Sequence, residues 1–208
     1  MIIDRDCKDF LHILSSSAPV PGGGGASAFA GALGVALGSM VGNLTLGKKK
    51  YDLVQNDIRI LLDKAEKLRN EFVALVEKDA KAFEPLSKAY GLPKNTDEEK
   101  KIKEDVMEKA LKQACSVPFE IMERALEAME LQQEFAAKGT KIALSDVGVG
   151  ILLCKSALLG ASLNVFTNTK LIKDRIFADD INARSQAMIF AGTEKADRIY
   201  REVEASVK

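Results

Sequence analysis

The chain has 208 residues, 47% hydrophobic and 29% charged, with Lys plus Arg equal to Asp plus Glu at 30 each. That length suits one domain spanning 1–208 with a substantial core, and the composition excludes a disordered chain. Balanced charge offers no global field to attract nucleic acid, and three scattered cysteines (Cys7, Cys115, Cys154) offer neither a disulfide framework nor a zinc spacing.

In chain order, Asp4 can cap a first short helix running to about Leu14, with Phe10, Ile13 and Leu14 on its inner face. SAPVPGGGGAS, Ser17 to Ser27, then breaks it, because two prolines restrict their predecessors and four glycines are costly to order. Such a run is either slack linker or a place where backbone must approach something closely. A second helix is predicted from about Gly25 to Gly47. Between Phe10 and Gly47 the one ionisable side chain is His12, the chain's single histidine. Gly25 to Leu46 is long enough to span a bilayer. Its apolar content is mostly alanine, however, with five glycines interspersed, so a helix buried among others, at a subunit interface, is the expected reading.

Val54, Ile58, Leu61, Ala65, Leu68, Phe72 and Leu75 then recur at spacings of three and four, one stripe of a long helix. Pro85 and GLPKNT are expected to close it. Thr96 with Glu99 forms a capping box that opens another long helix, with Val106, Ala110, Ala114, Val117, Ile121 and Ala125 inside. Pro118 should kink that helix, since it removes the donor to the Ala114 carbonyl. Gly139 ends it. Ser145 can cap a helix from about Asp146 to Thr169, whose inner row reads Asp146, Val149, Leu153, Ala157, Gly160, Asn164. A last helix covers about Asp174 to Val203, with Ile176, Ala183, Ala187 and Phe190 inward. No strand is evident. The expected fold is all-α, a single-domain bundle of long antiparallel helices around a buried Gly/Ala-rich one.

Certain polar residues fall where the pattern demands apolar ones. Continuing Leu68, Phe72, Leu75 leads to Asp79, with Phe83 one turn on, so Asp79 points inward. An inward carboxylate is either a paired structural charge or a pocket acid or base with a shifted pKa. Asp146 suits a helix first turn on electrostatic grounds alone, and Asn164 reads as a packing amide or a ligand contact. Lys48, Lys49 and Lys50 follow the uncharged helix, favourable at a C-terminus and suited to an anionic ligand. GNLTLGKK, Gly42 to Lys49, misses the phosphate-loop pattern at its last position and follows a helix instead of a strand. Pattern alone gives a helical protein with a small-molecule pocket and no triad or metal cluster.

PVPGGGGASAFAGALGVALGSMVGNLTLGKKKY, EKDAKAFEPL and SDVGVGILLCKSALLGASLNVFTN, in this order and spacing, resemble the formiminotransferase-cyclodeaminase C-terminal domain family, over nearly the whole chain. The resemblance implies an all-α homodimer with a folate site near the subunit interface. It also implies a tetrahydrofolate derivative as substrate and no metal. The proline–glycine motif matches Pro19 to Gly25, with Pro21, Gly22, Gly23, Gly24 and Gly25 expected at the substrate, and the lysine-rich helix end matches Lys48 to Lys50, with Asn43 near it. Asp79 and Phe83, Ser145 and Asp146, and Asn164 match the remaining blocks. This chain has four glycines where the family pattern has three, and Lys141 near the place of an asparagine. Two activities follow from the resemblance. Methenyltetrahydrofolate cyclohydrolase adds water to the 5,10-methenyl carbon. Formiminotetrahydrofolate cyclodeaminase closes the ring and expels ammonia. A non-catalytic folate-binding role is the third reading. Asp79, Asp146 and Lys49 are the expected catalytic residues. The other matched positions (Pro21, Gly22–Gly25, Asn43, Lys48, Lys50, Phe83, Ser145, Asn164) are expected to bind substrate. Neither nucleic acid nor membrane is expected as a partner. The N-terminal MIIDRDCKDF does not read as a signal peptide, which fits a cytoplasmic protein.

Overall fold

The computed structural model describes residues 6–208, so the expected Asp4 cap lies outside the described residues. Six α-helices follow one another, with no strand among the described residues: α1 (Cys7–Leu14), α2 (Gly23–Thr45), α3 (Gln55–Tyr90), α4 (Asp97–Lys138), α5 (Leu144–Thr169) and α6 (Arg175–Val207). Short 3-10 turns, Lys49–Val54 and Lys141–Ala143, precede α3 and α5. Asp6 caps α1, its carboxylate accepting from the Asp9 amide at 2.8 Å. Phe10 seats α1 on α2 by ring contact with Phe29, centroids 5.1 Å apart.

α2 runs through the bundle against α3, α4 and α5, and α5 also packs on α4 and α6. Glycine makes this close packing possible. A Cβ at Gly31 would lie 2.4 Å from the Phe72 ring, and one at Gly34 would lie 2.7 Å from Cys154 Sγ. The pairs Gly23–Asn164, Ser27–Gly160 and Gly34–Gly150 run in opposite senses, so α2 and α5 are antiparallel. Both are long and apolar enough to cross a membrane by length and composition, and about half of each is buried against the other helices.

The helix boundaries depart from expectation in instructive ways. α2 begins at Gly23, not Gly25, so three of the glycines lie in its first turn, where amides have no intrahelical acceptor in any case. It ends before Gly47, whose φ of +72° is open to glycine at little cost. α3 does not close at Pro85 but continues to Tyr90. The carbonyl freed by Pro85 belongs to the exposed Lys81, where water can serve it, while Leu86 and Ala89 are buried beyond. Packing of that last turn outweighs the missing bond. α4 opens on the Thr96–Glu99 capping box and ends at Gly139 as expected, with Pro118 inside, although Val106 is exposed. Ser145 does not cap α5; it lies inside the first turn, after a 3-10 turn.

Two inner faces were misread. On α6, Ile176 and Phe190 are 88% and 71% exposed, and Ala183 and Ala187 also face out; Ala178, Ser185, Gly192, Ala196, Ile199 and Val203 are buried. Gly192 explains the register, since a Cβ there would meet Leu158 at 2.3 Å. On α5 Ala157 is buried as expected, but the main buried row is Val147, Ile151, Cys154, Leu158, Ala161 and Val165, leaving Val149 exposed and Asp146 half-buried at the edge.

Candidate functional site

A cavity of about 340 Å³ opens where the start of α2, the last third of α3, the middle of α4 and the end of α5 meet. Gly22, Gly23 and Gly24 form one wall, Asp79 and Phe83 of α3 another. Asn164, Thr167 and Asn168 of α5 face them, with Pro118 and Ala114 of α4 alongside and Pro19, Val20 and Tyr90 at the margin. Apolar surface outweighs polar, and no lysine, arginine or histidine among the described residues lines the cavity. Such a shape, concave and mostly apolar with a few converging polar groups, suits a small-molecule ligand.

The glycines are there for close approach. A Cβ on Gly24 would lie 2.4 Å from Asp79 Oδ1 and 2.5 Å from Oδ2. A Cβ on Gly23 would touch the Asn164 amide at 3.4 Å, and one on Gly22 would meet nothing within 4 Å. The glycine run is therefore no slack linker. Its backbone forms the cavity wall and brings helix amides to the Asp79 carboxylate. Pro21 and Gly25 stand behind that wall, in contact with each other, and the Val20–Pro21 peptide is cis.

Burial pushes the Asp79 carboxyl from its ordinary 3.8 up to about 6, and the Gly25 amide opposes this by favouring the charged form. The residue thus leaves the apolar stripe of α3 for the cavity wall, while Ala80 is buried beside it. Near neutral pH it is a carboxylate whose proton affinity is matched to proton transfer.

The three polar residues of α5 spend their donors on main chain. Asn164 Nδ2 donates to the Gly160 carbonyl at 3.0 Å, Thr167 Oγ1 to Leu163 at 2.8 Å, and Asn168 Nδ2 to Ala114 at 3.1 Å. Each keeps oxygen lone pairs.

The other expected site residues lie elsewhere within one chain. Asn43, Lys48, Lys49 and Lys50 stand at the far end of the 23-residue α2, about 30 Å from the glycines at 1.5 Å per residue. Ser145 and Asp146 lie at that same end, because α5 is antiparallel to α2; 18 residues separate Asp146 from Asn164, about 27 Å along the helix. Here Thr45 Oγ1 donates to Val41 at 2.7 Å and accepts from the Thr140 amide at 2.8 Å, and Lys48 Nζ donates to Thr140 Oγ1 at 3.2 Å. Tyr51 was not foreseen: its hydroxyl accepts from the Lys141 amide at 3.2 Å. That bond, then one from Thr140 and the charges of Lys50 and Lys48, holds the phenol below its usual range. Thus Gly22–Gly24, Asp79, Phe83 and Asn164 converge as expected, and Asn43, Lys48–Lys50, Ser145 and Asp146 form a separate group.

Sequence reasoning also missed Tyr90, Thr167 and Asn168. Tyr90 was hidden by ending α3 at Pro85. Asn168 was legible in principle, being one helical turn beyond Asn164 on the same side of α5.

Residues 6–187 match the formiminotransferase-cyclodeaminase family. The chain is 42% identical over 200 residues to the methenyltetrahydrofolate cyclohydrolase of Methylorubrum extorquens, covering 96% of each. It is 30% identical over 204 residues to the formimidoyltransferase-cyclodeaminase of Mus musculus, 98% of this chain but 38% of that protein's length. The crystal structure of formiminotetrahydrofolate cyclodeaminase from Thermotoga maritima superposes with a TM-score of 0.81 at 27% identity, covering 98% of this chain and 99% of that one. With matches spanning nearly its whole length and a cavity built from the same blocks, the chain belongs to the formiminotransferase-cyclodeaminase family.

Proposed function

We propose that the protein is a methenyltetrahydrofolate cyclohydrolase, hydrolysing 5,10-methenyltetrahydrofolate to 10-formyltetrahydrofolate. The observation that carries this reading is a half-buried carboxylate in a mostly apolar cavity with no cation among the described residues. Such a site favours a flat ring system bearing a delocalised positive charge, which describes the methenyl amidinium. Asp79 takes a proton from water as the water oxygen bonds to the bridging carbon. The resulting adduct breaks its bond to N5, and N5 receives that proton from Asp79. The proton left on the carbinol oxygen goes to solvent as the formyl carbonyl forms on N10. One water is consumed and one proton released, and the step needs one group able to accept and then return a proton near neutral pH.

The working unit is a homodimer. Outward residues of the adjacent α2 and α5 form a continuous apolar face: Leu33, Met40 and Leu44, with Val149, Leu152 and Leu163, each 41–67% exposed. α2 carries no ionisable side chain, and Lys155 of α5 turns away to pair with Asp197 at 2.5 Å. An uncovered face of this kind is a subunit interface. A two-fold axis lying in the plane of this face and perpendicular to α2 sets the lysine end of one α2 beside the glycine end of its partner. Lys49, Lys50 and Asp146 of one protomer then complete the other's cavity, with the lysines placed for the glutamate tail of folate. The balanced composition, with the outward faces of α2 and α5 covered by a second copy, fits a cytoplasmic enzyme free of membrane and nucleic acid.

A second reading shares the cavity. In a cyclodeaminase N10 attacks the formimino carbon and ammonia leaves; the likeness to the Thermotoga maritima enzyme favours it. Two assays of the purified protein decide. Absorbance of the methenyl band falls with 5,10-methenyltetrahydrofolate for a cyclohydrolase, and rises with 5-formiminotetrahydrofolate, with ammonia released, for a cyclodeaminase. Turnover of the second alone would replace the lead reading, and silence in both would remove both activities. Mixing Asp79→Asn with Lys49→Ala protomers tests the shared site. At low salt a component with the wild-type KM, absent from either parent and carrying roughly a quarter of wild-type turnover after random reassortment, is expected; a mixture showing only the raised KM of Lys49→Ala would place each site within one chain.

A further inference from the structure

Pro118 carries no amide hydrogen, so the Ala114 carbonyl, four residues earlier in α4, has no intrahelical partner. Asn168 supplies the missing donor through Nδ2, at 3.1 Å, from α5. This bond fixes which way the amide points. With nitrogen committed to Ala114, Oδ1 accepts no hydrogen bond among the described residues. The side chain is about nine-tenths buried, with 9% exposure, and it lines the cavity together with Ala114 and Pro118. Asn164 and Thr167 are likewise tied by their donors, to Gly160 at 3.0 Å and Leu163 at 2.8 Å. The end of α5 therefore presents the oxygens of Asn164, Thr167 and Asn168 as acceptors, beside the second N–H of each asparagine amide, and no cation.

We infer that Asn168 Oδ1, held outward by the proline-freed carbonyl of Ala114, reads the donor edge of the substrate's 2-amino-4-oxopyrimidine ring, with Pro118 as its positioning residue. The inference rests on the folate reading of the cavity and adds the orientation of the ligand. The ring's N3–H and 2-amino group are donors and match acceptors. The anionic glutamate tail finds no partner on this wall and leaves toward the open side. An amide free to rotate would offer nitrogen or oxygen indifferently and would recognise less.

Direct substitution of Asn168 would orphan the Ala114 carbonyl and confuse recognition with folding. Pro118→Ala removes that difficulty, since its new main-chain N–H satisfies Ala114. In this background Asn168→Asp keeps an acceptor and Asn168→Leu does not. The probe is 5-formyltetrahydrofolate, a stable reduced folate, titrated calorimetrically, with thermal melts confirming that each variant is folded. P118A/N168D is expected to bind at least about tenfold more tightly than P118A/N168L. With the 2-desamino-2-methyl analogue of the same folate, that difference is expected to shrink below about threefold. Equal affinity of the two double variants for the parent folate would overturn the inference. A tenfold difference persisting with the analogue would overturn its assignment to the amino edge. A wild-type protein that binds no reduced folate would remove the proposed function and this inference together. Folate binding by wild type without the Asp–Leu difference would remove this inference alone.

Discussion

The two ends of α2 are opposites. At its start, Gly22, Gly23, Gly24 and Asp79 line a mostly apolar cavity with no cation among the described residues. At its finish stand three lysines, Lys49 and Lys50 exposed and Lys48 half-buried with its amine bonded to Thr140 Oγ1. One end suits a cationic ring, the other an anionic tail. The contrast teaches that one uncharged helix can carry complementary halves of a binding site without letting them meet. About 30 Å of stiff helix keeps them apart in a single chain, and the apolar α2–α5 face offers the route by which two chains reunite them.

The strongest way to break this comparison is at Asp79. Asp79→Asn is expected to lower kcat/KM by at least about 100-fold, measured by loss of the methenyl band, because the proton acceptor is gone. In wild type kcat/KM should rise with pH, half-maximal near pH 6, where the buried carboxyl titrates. Stability moves the other way. Between pH 3.8 and about 6 the folded protein holds a proton that the unfolded chain has released, so raising pH through this window costs stability. Relative to wild type, Asp79→Asn should gain on the order of 2–3 kcal/mol by pH 8 and nothing below pH 4, in denaturant titrations. Coincident loss of activity and stability would mean that Asp79 is a structural charge.

Gly24→Ala sharpens the contrast through shape alone. Its methyl would displace the Asp79 carboxylate, so turnover should fall about 10- to 100-fold. Gly22→Ala, with open space around it, should remain near wild type. Equal effects at both positions would deny the close approach.

At the other end the effects are smaller. Thr45→Val leaves the Thr140 amide without its buried acceptor and should cost about 1–3 kcal/mol of unfolding free energy. Lys49→Ala should raise KM by about fivefold at low salt, converging on wild type as salt screens the charge. A salt-independent change would take Lys49 away from the anionic tail.

Much of the fold was legible because its causes are local. The capping box at Thr96, the Gly139 stop, the stripe Ile58 to Leu75 and the uncharged α2 all act within one or two helical turns. Asp79 and Asn164 were found as polar breaks in such patterns, and the glycine run as a place needing no Cβ. Tertiary structure decided the rest. It carried α3 through Pro85, because burial of Leu86 and Ala89 outweighs one lost hydrogen bond. It rotated α6 so that Gly192, not Phe190, meets Leu158. It also turned Asn168 by a bond to a carbonyl 54 residues away, and sent the lysines and Asp146 to the far end of the bundle. Periodicity reports which face of a helix is apolar; which neighbour covers that face, and which distant atom completes a hydrogen bond, depends on contacts between segments that no local pattern encodes.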